Sequence, residues 1–259
     1  MQRALIAGLL VSAASALLGV TLVLKRYSMI GDGLSHVAFG ALAIATALNM
    51  APMQFTMPIV VITAVLLLRM NEKSKVRGDS AIALISTGAL AVGVTAVSLS
   101  KGMNADVYNY MFGSILAMSR SDVILSVAVS VIIMVMFAVF YNRIFAVTFD
   151  EGFAQATGTR TGVYNMLIAV LTAVTIVVGM RMMGAMLISA LVIFPALTSM
   201  RLFKTFKSVT VCSLIVSVVC FTAGLCISYI YNLPTGASIV IVNIISFALF
   251  SFIGAVKGK

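Results

Sequence analysis

Charge-free apolar runs separated by short basic clusters set the pattern of the chain. The first fills residues 4–24, between Arg3 and Lys25. A helix of that length, rising about 1.5 Å per residue, crosses a hydrocarbon core of about 30 Å. An N-terminal run rich in Ala and Ser also fits a signal peptide. Because more apolar sequence follows rather than a soluble domain, a retained span is expected. The uncharged stretch between Asp32 and Arg69 is too long for one span, and Asn49-Met50-Ala51-Pro52 is a turn signal. A helical hairpin over 31–49 and 55–70 is predicted, with Pro58 inside its second arm. Further spans are predicted over 79–100, 122–142, 163–181, 183–200, 208–231 and 235–256. The best count is nine, or eight if the pair on either side of Arg181 is a single element. The apolar segment 107–119 is short and is expected to be an interfacial or re-entrant helix on the outer side.

The basic clusters set the orientation. They are Lys25-Arg26, Lys73/Lys75/Arg77, Arg143 with Arg160, Arg201/Lys204/Lys207, and the Lys257/Lys259 tail. Successive clusters are two spans apart, so all five can lie on one side, which the positive-inside rule makes cytoplasmic. The N-terminus is then outside and the C-terminus inside. The seven tyrosines replace the absent tryptophan at the interfaces: all fall at or near predicted span ends.

Composition agrees with this pattern. The chain has 259 residues, 62% hydrophobic and 9% charged, with a mean hydropathy of +1.17. Seven acidic and seventeen basic residues cannot solvate the surface of a soluble globule, whose composition is typically about 25% charged. The expected fold class is all-α, a polytopic transmembrane bundle. The net charge of +10 is spread between apolar runs rather than clustered on a face, so no nucleic-acid partner is expected. Cys212, Cys220 and Cys226 share one apolar run and are expected to be buried thiols. No G-x-x-x-x-G-K-[ST] phosphate loop occurs, so the chain is not expected to hydrolyse ATP or to be an enzyme.

A few polar residues break the apolar pattern. Asp32 and the only histidine, His36, open the second span in Gly31-Asp32-Gly33-Leu34-Ser35-His36. Their i,i+4 spacing puts both side chains on one helical face. Two readings of the pair stand. Asp32 can cap the helix start while His36 bonds a neighbouring carbonyl, or the two can supply half of a divalent first-row metal site, completed by a second copy across a two-fold axis. Asp79 and Asp122 sit at helix starts, where carboxylates complement the dipole. Arg181 is either a boundary residue or a buried partner. The seventeen methionines are scattered and read as adaptable packing.

Five blocks follow one another along the chain: Ser28-Met29-Ile30-Gly31-Asp32-Gly33-Leu34-Ser35-His36, then Phe112-Gly113-Ser114-Ile115-Leu116-Ala117, then Phe149-Asp150-Glu151-Gly152-Phe153-Ala154 with Ala156-Thr157-Gly158, then the run from Arg181 through Phe194-Pro195-Ala196, then Tyr229 through Gly236. As an ordered set they resemble the membrane permease subunit of ABC-type zinc, manganese and iron importers. The first block is similar to that family's G-D-[AG]-L-[SA]-H segment. Where many members carry a proline shortly after the histidine, this chain has Phe39-Gly40.

The resemblance implies one permease domain over 1–259 in the plasma (inner) membrane, paired as a homodimer or with a second permease. It also implies cytoplasmic ABC ATPase subunits acting in trans and an extracytoplasmic solute-binding protein. No permanently bound cofactor is implied; the cargo is a divalent ion, zinc first and manganese next. Asp32 and His36 are the residues placed on the ion. Two cytoplasmic loops are candidates for ATPase coupling: 148–161, with Asp150 and Glu151, and 195–208, with Pro195, Arg201, Lys204 and Lys207. The second resembles the coupling segment of siderophore and cobalamin permeases and is preferred. An ion-coupled secondary transporter or a channel for a divalent cation is the alternative. The first needs intramembrane carboxylates, of which Asp32 is the clear candidate, and the second needs no ATPase-facing loop.

Overall fold

A computed structural model of the chain describes residues 2–73, 78–99 and 120–256. The expected outer helix at 107–119, the block at 112–117, Asp106, Tyr108, Tyr110, Lys75, Arg77 and the Lys257/Lys259 tail lie outside the described residues. The described residues form eleven helices and no strand. These are α1 (Gln2–Leu24), α2 (Ile30–Ala47), α3 (Pro52–Lys73), α4 (Gly78–Leu99), α5 (Arg120–Val139), α6 (Tyr141–Phe149), α7 (Glu151–Ala156), α8 (Thr161–Met183), α9 (Ala185–Met200), α10 (Phe206–Tyr231) and α11 (Thr235–Val256).

Helix is the only open-ended backbone geometry that satisfies its own polar groups in lipid, and each predicted span is helical over most of its length, though the one over 122–142 divides at Phe140, between α5 and α6. Among the described residues, seven helices are long and apolar enough to cross a membrane; the apolar stretches Pro52–Leu68 and Ala185–Met200 are shorter. The expected hairpin forms, with Asn49 left-handed at φ 53°. Pro52 opens α3, where a missing N–H costs nothing.

Two further boundaries differ from expectation. The division near Arg181 falls instead at Gly184, whose φ of 85° and ψ of 160° lie in a region open essentially to glycine alone. The 195–208 segment is not a loop throughout: Pro195 is buried inside α9, which continues to Met200, and only residues 201–205 form the turn. A helix in apolar surroundings absorbs one missing N–H more readily than it exposes several backbone groups to lipid. The Pro195 carbonyl accepts from the hydroxyls of Ser199 at 2.8 Å and Ser213 at 3.2 Å.

Burial separates centre from periphery. In their most apolar stretches α1 is 78% buried and α2 72%, whereas α4, α5 and α11 are each 22% buried. Of the three cysteines only Cys220 is buried; Cys212 is half-buried and Cys226 exposed, because α10 turns one face to the bundle and the other outward.

Glycine sets how closely the central helices approach. A Cβ on Gly19 of α1 would lie 1.8 Å from the Val192 carbonyl oxygen of α9. On α2, a Cβ at Gly33 would lie 2.5 Å from Ile82 Cγ2, and one at Gly40 2.5 Å from the Ala89 carbonyl oxygen. Small residues let membrane helices pack backbone to backbone. α2 is thereby clamped between α4 and α9, which fixes the direction of its polar face.

Candidate functional site

α2 begins at Ile30, preceded by Met29, which makes no side-chain capping bond. Asp32 is therefore the third helical residue rather than the cap, and the capping reading in its simple form does not hold. It still lies within the first turn, where a carboxylate offsets the positive helix end. One turn later, His36 Nε2 stands 3.6 Å from Asp32 Oδ2. Both are partly open, the histidine side chain 28% and the aspartate 42% exposed.

The two face a cavity of about 250 Å³ lined by Asp32, Ser35, His36, Phe39, Leu90, Ala185 and Met186. Three helices meet there. α2 gives the polar wall and α4 gives Leu90. α9 gives its first two residues, which the kink at Gly184 brings in. A hydroxyl pair ties the walls together: Ser35 Oγ donates to the Asp32 carbonyl at 2.7 Å, and Ser189 Oγ lies 3.1 Å from Ser35 Oγ and 3.0 Å from the Ala185 carbonyl. Among the described residues, no third His, Cys, Asp or Glu joins the pair. One chain thus offers one imidazole and one carboxylate, an open donor set rather than a closed structural site.

Two further groups of charges sit at the two ends of α8. Arg181, in its last turn, is exposed and pairs with Asp122 of α5 at 3.1 Å, with a further contact to Met53 Sδ of α3 at 3.3 Å. It is thus an ion-pair partner at a bundle end and not buried. Near the start of α8, the buried Asn165 accepts from Lys25 Nζ and donates to Glu151 Oε1 at 2.7 Å, while Lys25 and Glu151 stand 3.7 Å apart.

The two expected coupling segments meet at this same end. Asp150 caps α7 by accepting from the Phe153 N–H at 2.8 Å, and Glu151 is the first residue of that helix. α7 is short and exposed, with Phe153 65% open, and Phe149 at the end of α6 is 56% open. The other segment is compact. Lys204 and Lys207 are exposed, and the Arg201 guanidinium lies 5.1 Å from the centre of the Phe247 ring. Phe206, at the start of α10, joins the two, with ring centres 5.2 Å from Phe145 and 6.0 Å from Phe149. Sequence reasoning picked both segments but missed this junction, and it missed Phe39, Leu90, Ala185 and Met186 in the cavity. None of these carries a chemical signature; only tertiary packing brings them in.

A polytopic helical bundle with a partly polar cavity between its helices and an exposed helix at one end is the architecture of a membrane permease. The chain belongs to the ABC 3 transport family, whose profile matches residues 1–254. Members are the permease subunits of ABC transporters, with ATP hydrolysis on partner subunits, and the protein is a multi-pass plasma-membrane protein. It is 29% identical over 258 residues to the manganese transport system membrane protein MntC of Halalkalibacterium halodurans, covering 100% of this chain and 88% of that protein. It is 29% identical over 249 residues to the high-affinity zinc uptake system membrane protein ZnuB of Haemophilus influenzae, covering 96% and 95%. Among solved structures it is similar to PsaBC from Streptococcus pneumoniae in complex with Fab, with a TM-score of 0.85 at 27% identity, covering 96% of this chain and 90% of that one.

Proposed function

We propose that the chain is the translocation subunit of an ATP-driven importer of a divalent first-row metal ion, zinc or manganese, with Asp32 and His36 as its ligands in the pathway. The observation that carries this reading is the pair itself, facing a cavity inside the bundle at 3.6 Å. Bond lengths of about 2.0–2.2 Å place two tetrahedral ligands roughly 3.4 Å apart, so the side chains need little movement to share an ion. Imidazole and carboxylate both suit zinc and manganese, and the two kinds of relative support the same pair of metals. The open coordination positions fall to water or to the same residues of a second copy, in a homodimer or a paired permease. The chain crosses the membrane nine times with its N-terminus outside, receives the ion from an extracytoplasmic solute-binding protein, and is driven by two cytoplasmic ATPase subunits.

For coupling, we prefer α7 to the 195–208 segment, of which only 201–205 forms a turn. A folded helix that exposes Phe153, next to the exposed Phe149 at the end of α6, offers more apolar area for docking than a five-residue turn. Phe153→Ala is expected to weaken ATPase attachment about thirtyfold, the loss of a buried aromatic anchor worth about 2 kcal/mol. Co-purification of the ATPase with the variant measures this; undiminished attachment returns the role to Arg201, Lys204 and Lys207.

The direct test is uptake into liposomes holding the permease with its ATPase subunits. ATP-dependent entry of zinc or manganese is expected, and none without the ATPase. Entry through the permease alone would make it a channel or a secondary transporter.

A further inference from the structure

We propose that Lys25, Asn165 and Glu151 form a relay that carries movement of α7 to the base of the helix bearing Asp32 and His36. The inference rests on the reading of α7 as the ATPase-facing element.

Lys25 is only 8% exposed and Asn165 is buried, and a lysine is almost never buried without a partner. Its Nζ donates to Asn165 Oδ1 and lies 3.7 Å from Glu151, while Asn165 Nδ2 donates to Glu151 Oε1 at 2.7 Å. Each side chain thus touches the other two, and the three come from different elements: the end of α1, the second turn of α8 and the first residue of α7.

An acid whose task was to anchor the end of α1 would sit on a fixed bundle helix. This one sits on a six-residue exposed helix, so the anchor point travels with α7. The turn that follows α7 is tied back to α6 by Arg143 Nη1 donating to Thr159 Oγ1 at 3.0 Å, so α6, α7 and that turn shift together, pulling Lys25 with them.

What Lys25 pulls is the joint between α1 and α2. The next residue, Arg26, is left-handed at φ 63°, and the Tyr27 N–H bonds back to the Leu22 carbonyl at 2.8 Å. That tight turn delivers the chain to Ile30, the start of α2, two residues before Asp32. Few soft backbone angles lie between the relay and the cavity wall, so a displacement at Lys25 reaches Asp32 with little lost in bending. A strained non-glycine joint also suits a point that exchanges between two arrangements.

The test uses the complete transporter in liposomes, with uptake of Mn²⁺ or Zn²⁺ and ATP hydrolysis measured on the same sample. Lys25→Met is expected to keep hydrolysis while the ions moved per ATP fall about tenfold, within the range of typical coupling effects. Lys25→Arg is expected to recover most of the ratio. An unchanged ratio in Lys25→Met, or a fall of uptake and hydrolysis in proportion, overturns the relay. If Lys25→Met does not fold, Asn165→Asp replaces it, since that near-isosteric change sets a carboxylate against Glu151.

A second measurement does not depend on the cargo. Spin labels on Gln155→Cys and Met29→Cys, in a chain whose three native cysteines are serine, report the distance from α7 to the base of α2. A non-hydrolysable ATP analogue bound to the ATPase subunits is expected to change this distance in the wild type and not in Lys25→Met. The same change in both overturns the relay. If neither metal enters with the wild-type protein yet the label change still depends on Lys25, the relay stands and the metal reading falls.

Discussion

His36→Ala and Asp32→Ala are each expected to cut metal uptake to below about a hundredth of the wild-type rate, without loss of membrane insertion or ATPase attachment. Removing a group behind a ligand costs metal sites about 10–100-fold, and here one of two ligands is itself removed. Assembly survives because neither side chain is part of the packing. Both face the cavity and are partly exposed, with neither serving as the helix cap. Ser35→Ala is the matched control, since it removes a hydroxyl that ties the walls and leaves both ligands. Full uptake by His36→Ala would leave Asp32 as a helix-start carboxylate and remove the ligand assignment.

Gly19→Leu is expected to give the largest loss of stability of any single substitution considered. A Cβ there falls 1.8 Å from a backbone oxygen and 2.8 Å from the carbonyl carbon of Val192, so no side-chain rotation relieves it and α1 and α9 must separate. Overpacking usually costs about 1–3 kcal/mol, and a clash with backbone at the centre of the bundle exceeds the upper end. Gly162→Ala is the contrast: nothing lies within 4 Å of its added Cβ, and alanine is the better helix former by about 1 kcal/mol. The temperature at which each detergent-solubilised protein loses its monodisperse elution peak should order them Gly162→Ala, wild type, Gly19→Leu. A Gly19→Leu protein as stable as the wild type would mean that α1 and α9 do not pack at this contact.

The membrane helices were legible because lipid leaves one signal, the uncharged run, and that signal is local. The turn before Pro52 and the end of α10 at the left-handed Asn232 were marked by residue types with known backbone habits. The break at Gly184 was not, because Gly184 sits among Met182, Met183, Ala185 and Met186, a sequence as apolar as any helix interior. Arg181 drew attention three residues too early, since its charge serves the ion pair with Asp122 rather than a boundary. The closeness of Asp32 and His36 was readable from their i,i+4 spacing. Lys25, Asn165 and Glu151 were not readable as a group, because the 140-residue separation of Lys25 and Asn165 leaves no periodic trace.

The start of α9 has a consequence for how long an ion stays. Both α2 and α9 begin at the cavity, and neither start is capped by a side chain. Each helix start carries roughly half a positive elementary charge, so together they offset most of the single negative charge of Asp32. On the proposed assignment, a divalent ion there would be held by its short bonds to two ligands and hardly by any wider electrostatic well. Such a site favours brief dwell times, and its rate of emptying depends on bond geometry: a slight rotation of α2 that parts Asp32 from His36 is enough to let the ion go.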